Sequence, residues 1–164
     1  MDCNNCSAPM RLINNRNYFI CDYCGTYGIP DANRDGVRLL GEMTPFRCPI
    51  CQTFLATASA DENRVLLCPN CRGVLFDQLI FANAVSYQRD GSAPYEPPPR
   101  LLDRNELERS LRCPKCNKTM DTHFYGGAEN IVIDNCYSCR LIWLDCGELD
   151  RIVTASRHER EKTG

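Results

Sequence analysis

Histidine is scarce in this chain, with only His123 and His158, and there is a single tryptophan, Trp143. No Ser/His/Asp set, glycine-rich phosphate loop or His/Glu metal motif can be assembled from the sequence, so it offers no footing for nucleophilic, phosphoryl-transfer or metallohydrolase chemistry. No apolar run approaches the roughly 20 residues needed to cross a bilayer, which excludes a membrane-spanning helix. Excess charge of one sign is missing too: 19 Lys and Arg face 21 Asp and Glu, and from Arg100 onward the two classes number eleven each. Strong non-specific binding to nucleic acid rests on surplus positive charge, so this balance disfavours it.

What is abundant is cysteine, with 13 in 164 residues. Twelve form six Cys-x-x-Cys pairs: Cys3 and Cys6, Cys21 and Cys24, Cys48 and Cys51, Cys68 and Cys71, Cys113 and Cys116, Cys136 and Cys139. Taken two at a time, the pairs enclose 14, 16 and 19 residues, enough for a hairpin that returns one knuckle to the other. That is the spacing of a zinc ribbon, in which four thiolates close a tetrahedron around one metal ion. A secreted disulfide scaffold is expected to carry a leader and less regular spacing, whereas here the first knuckle begins at Cys3. The expectation is a cytoplasmic, reducing compartment and three Zn2+ per chain, with iron in a rubredoxin-like site as the metal alternative. Four thiolates around a dication leave −2 per site, so three loaded sites take the chain from −2 to −8.

The implied fold class is a small metal-stabilised α+β protein of three tandem four-cysteine ribbons, the second and third each followed by a helix. Module 1 covers residues 1–30, with short strands at Met10 to Ile13 and Tyr18 to Ile20; Gly25 suits a left-handed turn after its second knuckle. Residues 31–44 are a connector with one brief apolar patch. Module 2 covers 45–88, with strands from Phe54 to Ser59 and Arg64 to Leu67, then a helix from the Asp77 cap to about Tyr87. A Pro-rich linker at 89–100 favours extended polyproline. Module 3, residues 101–164, adds a helix at Leu101 to Leu111, strands from Thr119 to Phe124 and Asn130 to Asp134 turning at Gly126 and Gly127, and a terminal helix.

Modules 2 and 3 are copies of one unit. Their first knuckles are offset by 65 residues and their second by 68, which places the length difference in the hairpin. Arg72-Gly73-Val74-Leu75-Phe76-Asp77 aligns without a gap on Arg140-Leu141-Ile142-Trp143-Leu144-Asp145. Asp145 followed three residues later by Glu148 is a capping-box pattern that starts the last helix. The helix at 77–87 carries a wide apolar face in Leu79, Ile80, Phe81, Ala84 and Val85, which requires burial beyond its own ribbon.

From Cys113 to Ile152 the chain resembles the bacterial transcription factor IIB-type zinc-finger family, which joins a CPxC knuckle to CxxC-G-G-x-W-L-D-x-x-E-L. The matching residues are Cys113, Cys116, Cys136, Cys139, Trp143, Leu144, Asp145, Glu148 and Leu149; Arg140 and Leu141 stand where the family has two glycines. Module 2 resembles the family at Cys48, Cys51, Cys68, Cys71, Gly73 and Asp77, with Leu75 in place of the tryptophan. The resemblance implies zinc binding and a link to transcription, not a molecular activity.

Other residues carry smaller expectations. Trp143 is expected to pack between ribbon and helix, and His123 to sit in a strand and His158 on a solvated helix rather than on metal. Cys146, the unpaired cysteine, is read as a small residue packed at the first helical turn, against the alternative of a substitute fourth ligand or a reactive thiol. Arg72, Lys115 and Arg140 are placed to screen thiolate charge, or else to meet phosphate. Tyr18, Phe19, Tyr23 and Tyr27 either pack on their hairpin or offer a stacking surface. The functional expectation is a non-enzymatic adaptor that binds other protein subunits through the 77–87 helix. The alternatives are a transcription-associated or nucleic-acid-binding ribbon, and a thiol-redox switch that releases zinc.

Overall fold

Two short apolar runs, residues 74–76 and 141–144, one after each second knuckle, decide how the modules sit. In the computed structural model, which describes residues 1–13, 16–91, 103–125 and 130–161, they do not stay within their own ribbons. Ten strands are described: β1 (Arg11–Leu12), β2 (Phe19–Ile20), β3 (Tyr27–Gly28), β4 (Val37–Arg47), β5 (Phe54–Ala60), β6 (Asn63–Leu67), β7 (Val74–Asp77), β8 (Asp121–Phe124), β9 (Val132–Cys136) and β10 (Leu141–Leu144). Strands β7 and β10 contain the two apolar runs, and they pair with each other, antiparallel, with Leu75 opposite Trp143. Those two residues occupy equivalent places in the repeat, so a pseudo-two-fold axis passes between them. Modules 2 and 3 thereby share one seven-stranded sheet in the order β4-β5-β6-β7-β10-β9-β8.

Pairing across the axis explains why both runs are apolar without a break: each is buried on both faces. Val74, Phe76, Ile142 and Leu144 face one core, which they share with the helices. Leu75 and Trp143 face a second core, built around the knuckles from Cys48, Cys68, Cys113, Cys136, Leu55, Leu111 and Met120. Trp143 is fully buried there. It therefore packs on the knuckle side of the sheet and not between ribbon and helix, because strand alternation sends it to the face opposite Ile142 and Leu144.

Helix α1 (Gln78–Gly91) follows β7 directly, capped by Asp77, whose Oδ1 accepts the Leu79 N–H at 2.9 Å. Its Phe81, Ala84 and Val85 are buried, and it packs on helix α3 (Glu148–Glu161), which contributes Leu149, Ile152 and Val153. The neighbour that the apolar face of α1 requires is thus the third module of the same chain. Leu79 and Tyr87 stay outside, 71% and 68% exposed.

Part of the 31–44 connector is β4, the long edge strand of the sheet. Its pairing with β5 shifts register twice, between Leu39 and Met43 and between Met43 and Arg47, and Gly41 there has φ +93°. Such bulges break the alternation by which a strand is recognised in sequence. Residues Asn33 to Val37 also dock on module 3. Asp35, 1% exposed, accepts the Gly147 and Asp150 N–H groups at 2.8 and 3.1 Å, capping α3 from more than a hundred residues away.

Helix α2 (Arg104–Glu108) is shorter than the predicted Leu101 to Leu111 segment. Its cap at Asp103 forms, with Oδ1 accepting the Asn105 N–H at 2.9 Å. The chain turns extended at Arg109, and this carries the guanidinium between Asp134 and Asp145, with Nη2 2.6 Å from Asp134 Oδ2 and Nη1 on Asp145 Oδ2. Module 1 forms its own three-stranded sheet, β1-β2-β3. It touches module 2 through Arg64, whose Nη2 donates to the Arg16 carbonyl at 2.6 Å, and through Asn17, whose Nδ2 donates to the Glu62 carbonyl at 3.1 Å. Most of the Pro-rich linker, the Gly126–Gly127 turn and the side chain of His158 lie outside the described residues.

Candidate metal centres

Each Cys-x-x-Cys pair is folded by the same backbone device. The residue after the second cysteine takes a left-handed conformation at all six knuckles: Ser7, Gly25, Gln52, Arg72, Asn117 and Arg140 have φ between 55° and 72°. In five of them its N–H returns to the carbonyl of the first cysteine, at 2.8 Å for Ser7 and 3.1 Å for Gln52. Five of the six residues are not glycine, so a local penalty of roughly 1 kcal/mol or more is carried at each. Arg140 takes the left-handed conformation where the family has glycine, and at this sixth knuckle it is the Cys139 N–H that returns to the Cys136 carbonyl, at 3.2 Å. The turn aims successive N–H groups at sulfur: Ile50 and Cys51 donate to Cys48 Sγ at 3.4 and 3.5 Å, and Cys71 donates to Cys68 Sγ at 3.5 Å.

These knuckles gather the twelve predicted cysteines into three quartets able to hold a metal ion: Cys3, Cys6, Cys21 and Cys24; Cys48, Cys51, Cys68 and Cys71; Cys113, Cys116, Cys136 and Cys139. Sγ separations between knuckles are 3.5 Å for Cys3 to Cys24 and for Cys6 to Cys21, 3.4 Å for Cys51 to Cys68, and 3.6 Å for Cys48 to Cys71 and for Cys116 to Cys136. A disulfide needs about 2.05 Å. A tetrahedron with metal–sulfur bonds of about 2.3 Å has edges of about 3.8 Å, so the residues fit a zinc ion. The ion would supply a cross-link between the two knuckles of each ribbon.

Proton affinities within the metal-free quartets are split by neighbouring donors and thiolates. The Thr26 hydroxyl, 3.1 Å from Cys24 Sγ, brings that thiol down to about 5. Thr53 does the same for Cys51, also to about 5, and the Lys118 N–H lowers Cys116 to about 7. Against these, Cys48 pushes Cys71 up, and Cys116 pushes Cys139 up to about 12. One thiolate therefore opposes the next at close range, and a dication relieves that opposition by displacing the remaining protons. The threonines two residues after Cys24 and Cys51 are positions that spacing alone did not single out.

Sequence reasoning also missed Arg109 and Asp35, since nothing in a linear pattern announces a partner so far along the chain. Glu106, Asp145 and Glu148 form a carboxylate group close enough to hold a cation. The cation at Asp145 is the Arg109 guanidinium. Glu148 is fully buried, and burial next to Asp145 raises it to about 8. Half of the predicted capping box forms: Glu148 Oε2 accepts the Asp145 N–H at 2.7 Å. The Asp145 side chain instead accepts the Trp143 indole N–H at 3.0 Å and meets Arg109. Cys146 is exposed and outside every quartet, so the expectation that it packs at the first turn is corrected; Asp35 fills that role. His123 lies in β8 with Nε2 3.1 Å from Asn135 Nδ2.

Residues 112–155 match the transcription factor zinc-finger family, a zinc ribbon of the TFIIB type. The match lies within module 3. Comparison with curated proteins and with solved structures gave no match. The match spans both knuckles, β10 and the start of α3, which are the parts that the structure joins through Trp143, Asp145 and Glu148. Modules 1 and 2 lie outside the match, and their assignment as ribbons rests on the cysteine clusters. Module 2 repeats the knuckle, strand and helix order of the matched ribbon. Gly73 shows how the copies diverged, since a Cβ there would lie 2.2 Å from the Trp143 ring.

Proposed function

We propose that the protein is a non-enzymatic, three-zinc adaptor of the cytoplasm, an accessory subunit that contacts other proteins within a larger assembly. The observation that carries this reading is the closure of the sites. Four thiolates would fill the tetrahedral coordination of an ion in each quartet and would leave no position at which water or a substrate is activated. Zinc fits better than iron because an ion without redox chemistry suits a purely structural cross-link. Among the described residues no helix is long and apolar enough to cross a membrane.

The contact surface is proposed on two patches. Helix α1 retains Leu79 and Tyr87 on its outer side, and module 1 exposes Tyr23 at 81%, Tyr27 at 66% and Ile29 at 64%. Tyr27 stands edge-on to Tyr18 with ring centroids 5.5 Å apart, which fixes it as a rigid aromatic anchor of the kind found at interfaces. Two measurements test the reading. Elemental analysis of the purified chain is expected to give three zinc per chain, and fewer than two overturns it. Quantitative capture is then compared between the wild type and two double variants, Tyr23→Ser with Tyr27→Ser and Leu79→Ser with Tyr87→Ser. At least one variant should lose a partner about tenfold with its zinc intact; capture unchanged in both removes the adaptor reading.

A further inference from the structure

The pseudo-two-fold axis that joins modules 2 and 3 also brings their first knuckles together. Between them lies an open cleft of about 510 Å3, lined by the same residues taken twice: Arg47 and Arg112, Pro49 and Pro114, Gln52 and Asn117. Each pair is separated by the 65-residue offset of the repeat. The two arginines are held alike, Arg47 Nη1 donating to the Gln52 carbonyl at 3.0 Å and Arg112 Nη1 to the Asn117 carbonyl at 3.1 Å. Lys115 adds a third cation to the lining, which contains no carboxylate.

Charge in this acidic chain is segregated toward the cleft. Residues 43–60 and 109–120 contain five Lys and Arg and no Asp or Glu. One of the five, Arg109, is consumed by Asp134 and Asp145. Arg47, Arg112 and Lys115 are exposed, whereas the knuckle residues Cys48 and Cys113 are 0% and 2% exposed. A ligand in the cleft therefore meets the guanidinium forks before the thiolates. The Arg47 guanidinium also stacks over the Phe54 ring, 4.2 Å from its centre, which holds the cation in place at the wall of the cleft.

We propose that this cleft is a phosphate-recognition site, in which Arg47 and Arg112 grip phosphate oxygens from the two sides of the pseudo-two-fold axis and Lys115 adds charge. Arginine forks match the geometry of phosphate oxygens, and lysine adds a point charge. Phosphate can come from a single-stranded nucleic acid or from a small polyphosphate.

Holo-protein with its zinc verified is titrated with a labelled single-stranded oligonucleotide of about 12 nucleotides, with tripolyphosphate and with a polyglutamate peptide, at about 50 mM salt. The oligonucleotide or tripolyphosphate is expected to bind, and the tighter of the two identifies the source of phosphate. Arg47→Glu with Arg112→Glu should weaken that binding at least tenfold and make its logarithmic salt slope shallower by about 0.7 for each phosphate that is no longer neutralised. Because both arginines also brace their knuckles, Lys115→Glu serves as a second variant, with an expected loss of about threefold. Arg11→Glu in module 1 is the control and should leave binding unchanged. The proposal is overturned if neither phosphate ligand binds, if polyglutamate binds as tightly, if Lys115→Glu leaves binding intact, or if Arg11→Glu weakens it equally.

Discussion

Module 1 and the fused pair of modules 2 and 3 use the same knuckle and attach it to different amounts of structure. Among the described residues of module 1, Phe19 is the only buried side chain besides Cys3 and Cys21, and Cys6 and Cys24 are exposed. Its strands are two residues long. In the fused pair the outer cysteines of each quartet, Cys51, Cys71, Cys116 and Cys139, are half-buried, and two apolar cores flank a seven-stranded sheet. A structural zinc supplies on the order of 10–16 kcal/mol in a finger peptide. For module 1 that is nearly all the folding free energy available, whereas in the fused pair it adds to buried apolar surface.

The sharpest way to break the comparison is to remove one thiolate from each side. Cys136→Ser takes a ligand that is also a β9 residue opposite Leu141, so it should lower the zinc content and collapse both modules of the shared sheet. Trp143, the only tryptophan, reports that collapse as a red-shifted emission. Cys21→Ser should cost one zinc and leave Trp143 emission and the helical circular dichroism of α1 and α3 as they were. If Cys21→Ser also shifts the tryptophan emission, module 1 is not separable.

A smaller effect probes the packing that ties modules 2 and 3 together. Gly73→Ala places a methyl against the Trp143 ring, and overpacking of this kind costs about 1–3 kcal/mol. The melting temperature of the fused pair should fall while zinc content stays at the wild-type value. Adding Trp143→Leu, which restores the residue type found at Leu75, should recover part of the stability. Strict additivity of the two substitutions would show that ring and glycine are not coupled.

The smallest effect comes from Glu148. Its native carboxyl holds a proton up to about pH 8, whereas an unfolded glutamate ionises near pH 4.5. Unfolding between those values releases a proton, so this residue's contribution to stability declines as pH rises from about 4.5 to 8. Glu148→Gln keeps a neutral acceptor for the Asp145 N–H and should flatten that decline, with a gain over the wild type of about 1–2 kcal/mol at pH 8 relative to pH 6. Denaturant melts of the zinc-loaded protein at the two pH values measure it; parallel curves for both proteins would refute it.

Much of the local structure was legible because it depends on neighbours in sequence. The six knuckles, the hairpins between them, the Asp77 and Asp103 caps and the helix after β7 all follow from residues a few positions apart. The helix predicted through Leu111 instead ends at Glu108, where Arg109 turns extended and meets two carboxylates. The connector was partly legible: its apolar patch at Val37, Leu39 and Leu40 became β4, but Gly41 and the register shifts hid the strand's length.

By itself the sequence determined the three quartets, because a thiolate tetrahedron requires only that knuckles recur at hairpin spacing. It also determined the repeat, and with it the equivalence of Leu75 and Trp143. Only the tertiary structure decided that these equivalent residues face each other. Strand pairing across a symmetry axis depends on contacts made at long range in the chain, and no local pattern distinguishes an edge that meets solvent from one that meets its own copy. The same long-range placement turned Gly73 into the seat of an indole, Asp35 into the cap of a distant helix, and two ordinary knuckle arginines into the walls of one cleft.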